Sequence, residues 1–164
     1  VIADDSGTDD YDGTDEGGAL TARLASWHAE PRALVAAATE WRCWRLHERS
    51  ALRPWSRGAV TLLGDAAHPV LPFLAQGAAL ALEDAVVLGA AVARAPDLAA
   101  AFAAYEHIRR PRALRVQRAS ADNGRTYHLT GAGALARDLV LRATPGALML
   151  ERYRWLYGHS VLDD

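Results

Sequence analysis

Residues 62–85, LLGDAAHPVLPFLAQGAALALEDA, contain the residue types that predict chemistry. Gly64 and Asp65 lie near the start of this stretch, directly after an apolar run. An ionised aspartate accepts hydrogen bonds without donating them, which suits Asp65 to hold hydroxyl groups of a sugar or polyol. Gly64 has no side chain, so another backbone or a ligand can approach it closely. Pro69 and Pro72 stiffen the following loop, so a flat ligand would meet a preset wall there.

Gln76 and Gly77 follow this loop and open a predicted helix. The first N–H groups of a helix have no partner within it, and the helix dipole places roughly half a positive charge at that end. Such an end favours an anion without any charged side chain. Because ligands of α/β proteins collect where strands end, we expect Asp65 and the start of this helix to face one ligand.

The elements that position these groups follow from the periodicity of apolar residues. Residues 59–63 (AVTLL) form a short apolar run, which predicts a strand buried on both faces. Residues 77–94 predict a helix, and Asp97 is expected to cap a long helix over residues 98–123. Pro111 lies inside that helix, where a kink is expected.

Shorter elements flank this region. Residues 19–38 have apolar side chains at helical spacing, and Pro31 suits the first turn of a second short helix. Residues 41–48 alternate large apolar and polar side chains, as a strand does. Residues 130–157 predict helical pieces that are broken at Thr-Pro-Gly.

The composition predicts a folded domain, or a piece of a larger one, with 164 residues of which 51% are hydrophobic. A net charge of −2 provides no field that would attract nucleic acid or an anionic membrane. No apolar run reaches the ~20 residues that a bilayer span needs. Cys43 is the only cysteine, which predicts a small buried side chain and a reducing, cytoplasmic location.

The ordered string over residues 62–85 resembles the second FAD-contacting motif of the single-component flavoprotein aromatic hydroxylases, the family of p-hydroxybenzoate hydroxylase and salicylate hydroxylase. Residues 41–65 resemble the segment that returns from the substrate domain of those enzymes to the cofactor domain. Residues 101–120, with Tyr-Glu and Arg-Arg-Pro-Arg, are similar to their long helix, and residues 152–164 to the ending of the salicylate hydroxylase-like branch. The resemblance covers nearly all of the chain after Gly18.

The resemblance implies roles for individual residues. Asp65 would contact the ribityl–pyrophosphate part of FAD, with Gly64 granting access, and Pro72 would lie over the flavin ring near the substrate. The backbone N–H groups that would face the pyrimidine edge of the flavin belong to Gly77, Ala78 and Ala79. A helix N-terminus there suits reduced flavin, which is anionic at that edge.

The resemblance also implies the fold and the reaction. We expect the C-terminal part of a Rossmann-like FAD-binding α/β fold, mostly helical here with a few strands. Residues 1–57 would comprise an acidic loop and the end of the substrate domain, and residues 58–164 part of the FAD-binding domain. NAD(P)H would reduce the flavin, and a flavin C4a-hydroperoxide would hydroxylate a small aromatic substrate.

Three further ionisable side chains lie near the expected site. His68 could serve as a general base, but we expect it to order the loop, because geometry has to precede a catalytic role. Glu83 and Asp84 are adjacent, and neighbouring helical residues diverge by about 100°. We therefore expect capping or packing contacts from them rather than a proton-sharing pair.

Several family features are absent, and alternatives follow from that. The opening GxGxxG loop is missing, and residues 131–136 (GAGALA) follow no buried strand, so we expect a helical linker there. A calcium loop aligned on Gly13 would place Thr8 and Ala19 at its terminal ligand positions, so no metal site is expected.

Two other functions remain open at this point. The chain could be a non-catalytic helical remnant whose exposed face pairs with a separately encoded N-terminal half or with a second copy. It could also belong to a different FAD oxidoreductase of the same fold.

Overall fold

The computed structural model describes residues 14–15, 18–42, 46, 48–49 and 52–162. The chain divides into two compact units, Val1–Leu46 and His47–Asp164. Most of the described residues are helical, and two small antiparallel sheets accompany the helices. The predicted balance of many helices and few strands is therefore confirmed.

The first unit combines two short helices with a two-stranded sheet. Its elements are β1 (Thr14–Asp15), α1 (Gly18–Arg23), α2 (Ala29–Ala37) and β2 (Trp41–Arg42), with β1 antiparallel to β2. Pro31 lies in the first turn of α2, as predicted. The strand predicted over residues 41–48 is seen at its first two residues. Cys43, Thr8 and Gly13 lie outside the described residues.

The second unit is built on two long helices that pack against each other. Its elements are β3 (Ser56–Arg57), β4 (Val60–Thr61), α3 (Gly77–Arg94), α4 (Leu98–Tyr127), α5 (Gly131–Ala143), α6 (Gly146–Arg152) and α7 (Arg154–Tyr157). The bounds of α3 and the break between α5 and α6 are confirmed. Asp97 caps α4, since its Oδ1 accepts a hydrogen bond from the N–H of Ala100 at 2.8 Å. Helix α4 continues through Pro111 and past the predicted end at residue 123; the kink stays a prediction.

The core of this unit lies between α3, α4 and the loops that precede α3. Two clusters of buried apolar side chains form it. The first is Trp55, Ala67, Val87, Tyr105 and Ala113, and the second is Leu74, Leu80, Val116 and Leu156. Each cluster joins both long helices to a loop residue, so burial of these side chains fixes the loops on the helical pair.

The strand predicted over residues 59–63 is shorter and more exposed than the apolar run suggests. It comprises only Val60–Thr61, pairs antiparallel with β3, and leaves Val60 67% exposed. An apolar run is buried on both faces only when other layers cover both faces. Among the described residues, β3 is the only strand that pairs with β4, so the expectation of full burial is wrong here.

Gly64 ends this segment in a conformation that favours glycine. Its φ is +58°, and a Cβ atom built on it would lie 3.2 Å from the Cβ of Ala81 in α3. Gly64 is buried. What comes close to Gly64 in this structure is therefore α3, and the absence of a side chain lets the loop lie directly against that helix.

We expect Gly64→Ala to destabilise the second unit more than Gly58→Ala does. Gly58 has a φ of +59° but nothing within 4 Å of its added Cβ, so its substitution introduces backbone strain alone, about 1–2 kcal/mol. Gly64→Ala adds the tight contact with Ala81, about 1 kcal/mol or more. Urea unfolding of both variants measures the difference. Equal losses of unfolding free energy would contradict the close packing of Gly64 on α3.

Candidate functional site

Asp65 and the N-terminus of α3 lie side by side. The Oδ1 atom of Asp65 is 3.8 Å from the position that a Cβ atom on Gly77 would occupy. Asp65 is exposed, and within the described ranges its carboxylate makes no hydrogen bond or ion pair. The structure therefore brings together the two groups that the sequence predicted would face one ligand.

The N-terminus of α3 has uncapped donors. Its backbone ladder begins where the N–H of Leu80 donates to the Gln76 carbonyl at 2.9 Å. The Gln76 side chain does not cap the helix; its Nε2 donates to the Leu74 carbonyl at 3.4 Å. No group in the described part of the chain accepts a hydrogen bond from the N–H of Gly77, Ala78 or Ala79. These three donors remain available to a ligand.

The proline-containing loop between Asp65 and α3 is bonded to one face of α4. The Gln117 Nε2 donates to the Pro69 carbonyl at 2.8 Å, the Ser120 Oγ to the Leu71 carbonyl at 2.6 Å, and the Asn123 Nδ2 to the Phe73 carbonyl at 3.5 Å. Donors that are three residues apart along α4 thus bind every second carbonyl group of the loop. These three donors were not predicted from the sequence.

Pro72 is presented at the surface of this loop. It starts the short 3₁₀ turn Pro72–Leu74 and is exposed. The next residue, Phe73, packs directly on Gly124 of α4, where an added Cβ would lie 2.5 Å from the ring. Only a glycine permits that contact, so the position of Pro72 is set by α4 as well as by the stiffness of proline.

Asp84 lies beneath the Gly-Asp loop and is fully buried. Its Oδ2 accepts hydrogen bonds from the Gly64 N–H at 3.0 Å and from the His68 Nε2 at 2.5 Å. Its Oδ1 accepts from the Arg109 Nε at 2.8 Å. An ionised carboxylate only accepts, so His68 donates through Nε2. Asp84 thus joins the loop, α3 and α4 through one side chain.

Glu83 extends this cluster toward the C-terminal helices. It accepts from the Arg109 Nη2 at 2.6 Å and from Arg112 through Nε at 2.6 Å and Nη2 at 2.7 Å. Arg112 also donates to the carbonyls of Trp155 and Leu156, each at 3.3 Å. Glu83 and Asp84 form ion pairs with arginines in place of the capping or packing contacts that were expected of them. Their arginine partners were missed, although a charged pair inside the apolar helix α3 requires partners.

Residues 5–120 match the family model described as FAD binding domain, which is more than half of the chain. The chain belongs to the FAD-binding domain family. The predicted family and its cofactor, FAD, are confirmed.

Curated relatives of this FAD-binding chain are aromatic hydroxylases by name. It is 41% identical over 132 residues to a 3-hydroxybenzoate 6-hydroxylase of Klebsiella oxytoca, covering 80% of this chain and 33% of the relative. It is 49% identical over 106 residues to a 6-hydroxynicotinate 3-monooxygenase of Bordetella bronchiseptica, covering 63% of this chain and 28% of the relative. The chain therefore spans about a third of the length of the curated relatives it matches.

A solved structure supports the fold assignment. A salicylate hydroxylase substrate complex superposes with a TM-score of 0.75 and covers 98% of this chain and 41% of that chain, at 23% identity. At this identity the likeness shows the fold. The predicted part of an FAD-binding monooxygenase fold is confirmed.

The donors and acceptors of the site fit a flavin nucleotide. An exposed carboxylate without a partner among the described residues can accept from ribityl hydroxyls, and three unpaired N–H groups can donate to the oxygen and nitrogen atoms of a flavin edge. A Cβ atom on Gly77 would lie in ordinary contact with Val70 Cγ2 and Asp65 Oδ1, at 3.6 and 3.8 Å. Helix α3 itself has no acidic side chain in its first turn, and the carboxylate that lies beside this end is that of Asp65.

The glycine-rich run and the metal site considered from the sequence can also be compared with the described residues. The GAGALA run lies in helix α5 and follows helix α4, so the expected helical linker is confirmed. No group of three potential metal-ligating side chains was found among the described residues. Nor is any helix in the described ranges both long enough and apolar enough to span a membrane.

The buried cluster shifts the pKa values of its two carboxyl groups downward. Burial raises the pKa of Asp84, but hydrogen bonds from His68, Arg109 and the Gly64 N–H outweigh burial and hold that pKa below its ordinary value of 3.8. Burial likewise raises the pKa of Glu83, and hydrogen bonds from Arg112 and Arg109 lower it below 4.5 overall. Both groups are therefore ionised at neutral pH.

These lowered pKa values predict acid sensitivity. A folded pKa below the unfolded one contributes stability above the unfolded value, and this stability is lost as the pH falls through the folded value. We expect the free energy of unfolding to fall as the pH drops below the ordinary carboxyl values of 4.5 and 3.8. Urea unfolding at a series of pH values measures this.

Glu83→Gln should flatten that acid dependence. Asp122→Asn is the control, because Asp122 forms an exposed pair with Arg125 and exposed pairs contribute little, about 0–1 kcal/mol. If the stability of Glu83→Gln depended on pH in the same way as that of the wild type and of Asp122→Asn, the lowered pKa of Glu83 would be contradicted.

Proposed function

We propose that this chain supplies part of the flavin site of an FAD-dependent monooxygenase that hydroxylates a small aromatic substrate. Asp65 accepts hydrogen bonds from hydroxyl groups of the ribityl–pyrophosphate part of FAD, and Gly64 lets the loop carrying Asp65 lie against α3. The N–H groups of Gly77, Ala78 and Ala79 donate to the pyrimidine edge, and Pro72 lies over the ring. The bound FAD supplies the redox chemistry and oxygen activation, and the chain orients it.

The observation that carries this proposal is the convergence of Asp65 with the uncapped N-terminus of α3. The carboxylate lies 3.8 Å from the Cβ position of Gly77, and the three N–H groups beside it have no acceptor in the described chain. An acceptor and three donors at one gap suit a ligand that has hydroxyl groups and a polar ring edge. The helix dipole at that gap favours the anionic form of such a ring.

The proposed substrate class rests on the relatives, and the proposed reductant rests on the resemblance of residues 62–85 to the flavoprotein aromatic hydroxylases. Their names specify hydroxybenzoate and hydroxynicotinate, which are small aromatic acids carrying a hydroxyl group. A small aromatic acid or phenol is therefore the proposed substrate, with NAD(P)H as the reductant and the cytoplasm as the location. Residues 1–57 then represent an acidic loop and the end of a substrate domain, and residues 58–164 part of the FAD-binding domain.

A second candidate function is the pairing of this chain with the remainder of an FAD-binding domain, as a separately encoded N-terminal half. The outer face of α3 favours it, because Leu82 is 71%, Val86 47% and Val92 46% exposed. A helix that is apolar all round is normally buried on every side. In this case the chain alone retains no FAD once free FAD has been removed. A second copy on this face would instead appear as a dimer in sedimentation.

Gly77→Ala tests the proposed site directly. Its methyl group would lie 3.6 Å from Val70 Cγ2 and 3.8 Å from Asp65 Oδ1, so the fold accommodates it while the gap for a ligand narrows. We expect unchanged or slightly higher stability and FAD binding weakened about tenfold, or 1.4 kcal/mol. Flavin fluorescence titration measures the affinity.

Gly89→Ala is the matched control, because it lies in the same helix with nothing within 4 Å of its added Cβ. It should retain the affinity of the wild type. Equal affinities of the two variants would count against a ligand at the tip of α3. A wild-type chain that leaves flavin fluorescence unchanged would contradict FAD binding by this chain alone and favour the second candidate.

Asp65→Asn tests the acceptor. The variant keeps the size of the side chain but loses the charge, so the hydrogen bonds that it accepts weaken by about 1.5 kcal/mol, roughly tenfold in the dissociation constant. The side chain is exposed, so stability should change little. Asp122→Asn, at another exposed carboxylate, should leave FAD binding unaltered. If Asp65→Asn bound FAD with the affinity of the wild type, Asp65 would not belong to the proposed site.

A further inference from the structure

We infer that Asp84 is a positioning residue for the flavin site: it holds the turn of residues 64–68 in the conformation that presents Asp65, without contacting the ligand itself. This inference rests on the proposed function for the identity of the ligand. The positioning of the turn rests on hydrogen bonds and burial alone.

Asp84 binds both ends of the turn. Its Oδ2 accepts from the N–H of Gly64 at the first position and from the ring of His68 at the last. Within the turn, the N–H groups of Ala67 and His68 both donate to the Gly64 carbonyl at 2.9 Å. Gly64, Ala67 and His68 are buried while Asp65 is exposed. The bonds to Asp84 thus anchor the buried ends and leave Asp65 projecting outward.

Arg109 fixes the orientation of the Asp84 carboxylate. Its Nε donates to the Asp84 Oδ1 at 2.8 Å, and both side chains are 0% exposed. Arg109 is itself held by Glu83 at 2.6 Å. A buried, paired carboxylate has little freedom to rotate, so its other oxygen is kept where the turn needs an acceptor.

His68 acts within the fold rather than on a ligand. It is 2% exposed and packs beside Trp55, with ring centroids 5.2 Å apart. Its Nδ1 has no hydrogen-bond partner among the described residues. The one hydrogen bond of its ring in that part of the chain goes to Asp84, which is the contact expected of a residue that orders the turn.

Glu83 offers a matched control for the loss of a carboxylate. It lies next to Asp84 on α3 and binds the same arginine, Arg109. Its other hydrogen bonds reach Arg112, and within the described residues none of them involves the turn. In the described part of the chain, Glu83 reaches Asp84 only through Arg109. A general effect of removing a buried charge would therefore appear in both variants, whereas the direct effect on the turn should be much larger when Asp84 is changed.

The experiment compares Asp84→Asn with Glu83→Gln in the full chain by amide hydrogen exchange and by FAD titration. We expect exchange at residues 64–68 to accelerate about tenfold or more in Asp84→Asn and clearly less in Glu83→Gln, while amides of the buried face of α4 remain protected in both. The FAD dissociation constant should rise about tenfold or more in Asp84→Asn and clearly less in Glu83→Gln.

A second pair of variants covers the case in which Asp84→Asn does not fold. His68→Gln retains a donor for Asp84, whereas His68→Leu removes it. Faster exchange of the turn in His68→Leu and near-normal exchange in His68→Gln support the inference. Equal exchange of the turn in these two variants overturns it.

The outcomes separate this inference from the proposed function. If the wild-type chain takes up no FAD, FAD binding by this chain fails, and the exchange comparison still decides whether Asp84 positions the turn. If the wild type binds FAD and Asp84→Asn binds it equally well, or if exchange of the turn is unaltered, the inference is overturned.

Discussion

A carboxylate and a guanidinium group buried together impose the main constraint on the second unit. Asp84 and Arg109 are both fully removed from solvent, and an isolated buried charge would be very unfavourable. Their pairing is therefore obligatory once α3 packs on α4. Because the second oxygen of Asp84 also needs donors, the Gly64 N–H and the His68 ring are drawn to it. The same interaction that joins the two helices thereby shapes the loop.

Helix α4 supplies the rest of the frame. Gln117, Ser120 and Asn123 bond to alternate carbonyls of the proline loop, and Gly124 receives the ring of Phe73. These bonds satisfy carbonyl groups of the loop, which form no strand pairing among the described residues. The loop between Asp65 and α3 is consequently ordered before any ligand arrives, which lowers the conformational entropy lost on binding.

Helix α3 has an apolar outer face that is exposed in this chain. The chain spans about a third of the length of its curated relatives. One side of α3 is covered by α4, and the other shows Leu82 and Val86 to solvent. Exposed apolar stripes of this kind commonly mark surfaces that meet another layer. The loop that precedes α3 is held from within the second unit by hydrogen bonds to α4.

The sequence by itself determined the local elements and the chemistry of the loop. Glycine, proline, aspartate and apolar spacing act within a few residues, so the bounds of α3, the cap at Asp97 and the turn at Gly64 and Asp65 were all predictable. Only the tertiary structure decided which residues serve as partners across the fold. Arg109 for Asp84, Arg112 for Glu83 and Ser120 for Leu71 lie 25 or more residues from those partners. The sequence also did not decide how deeply residues 59–63 are buried, because burial depends on which layers cover a strand and not on the strand's own side chains.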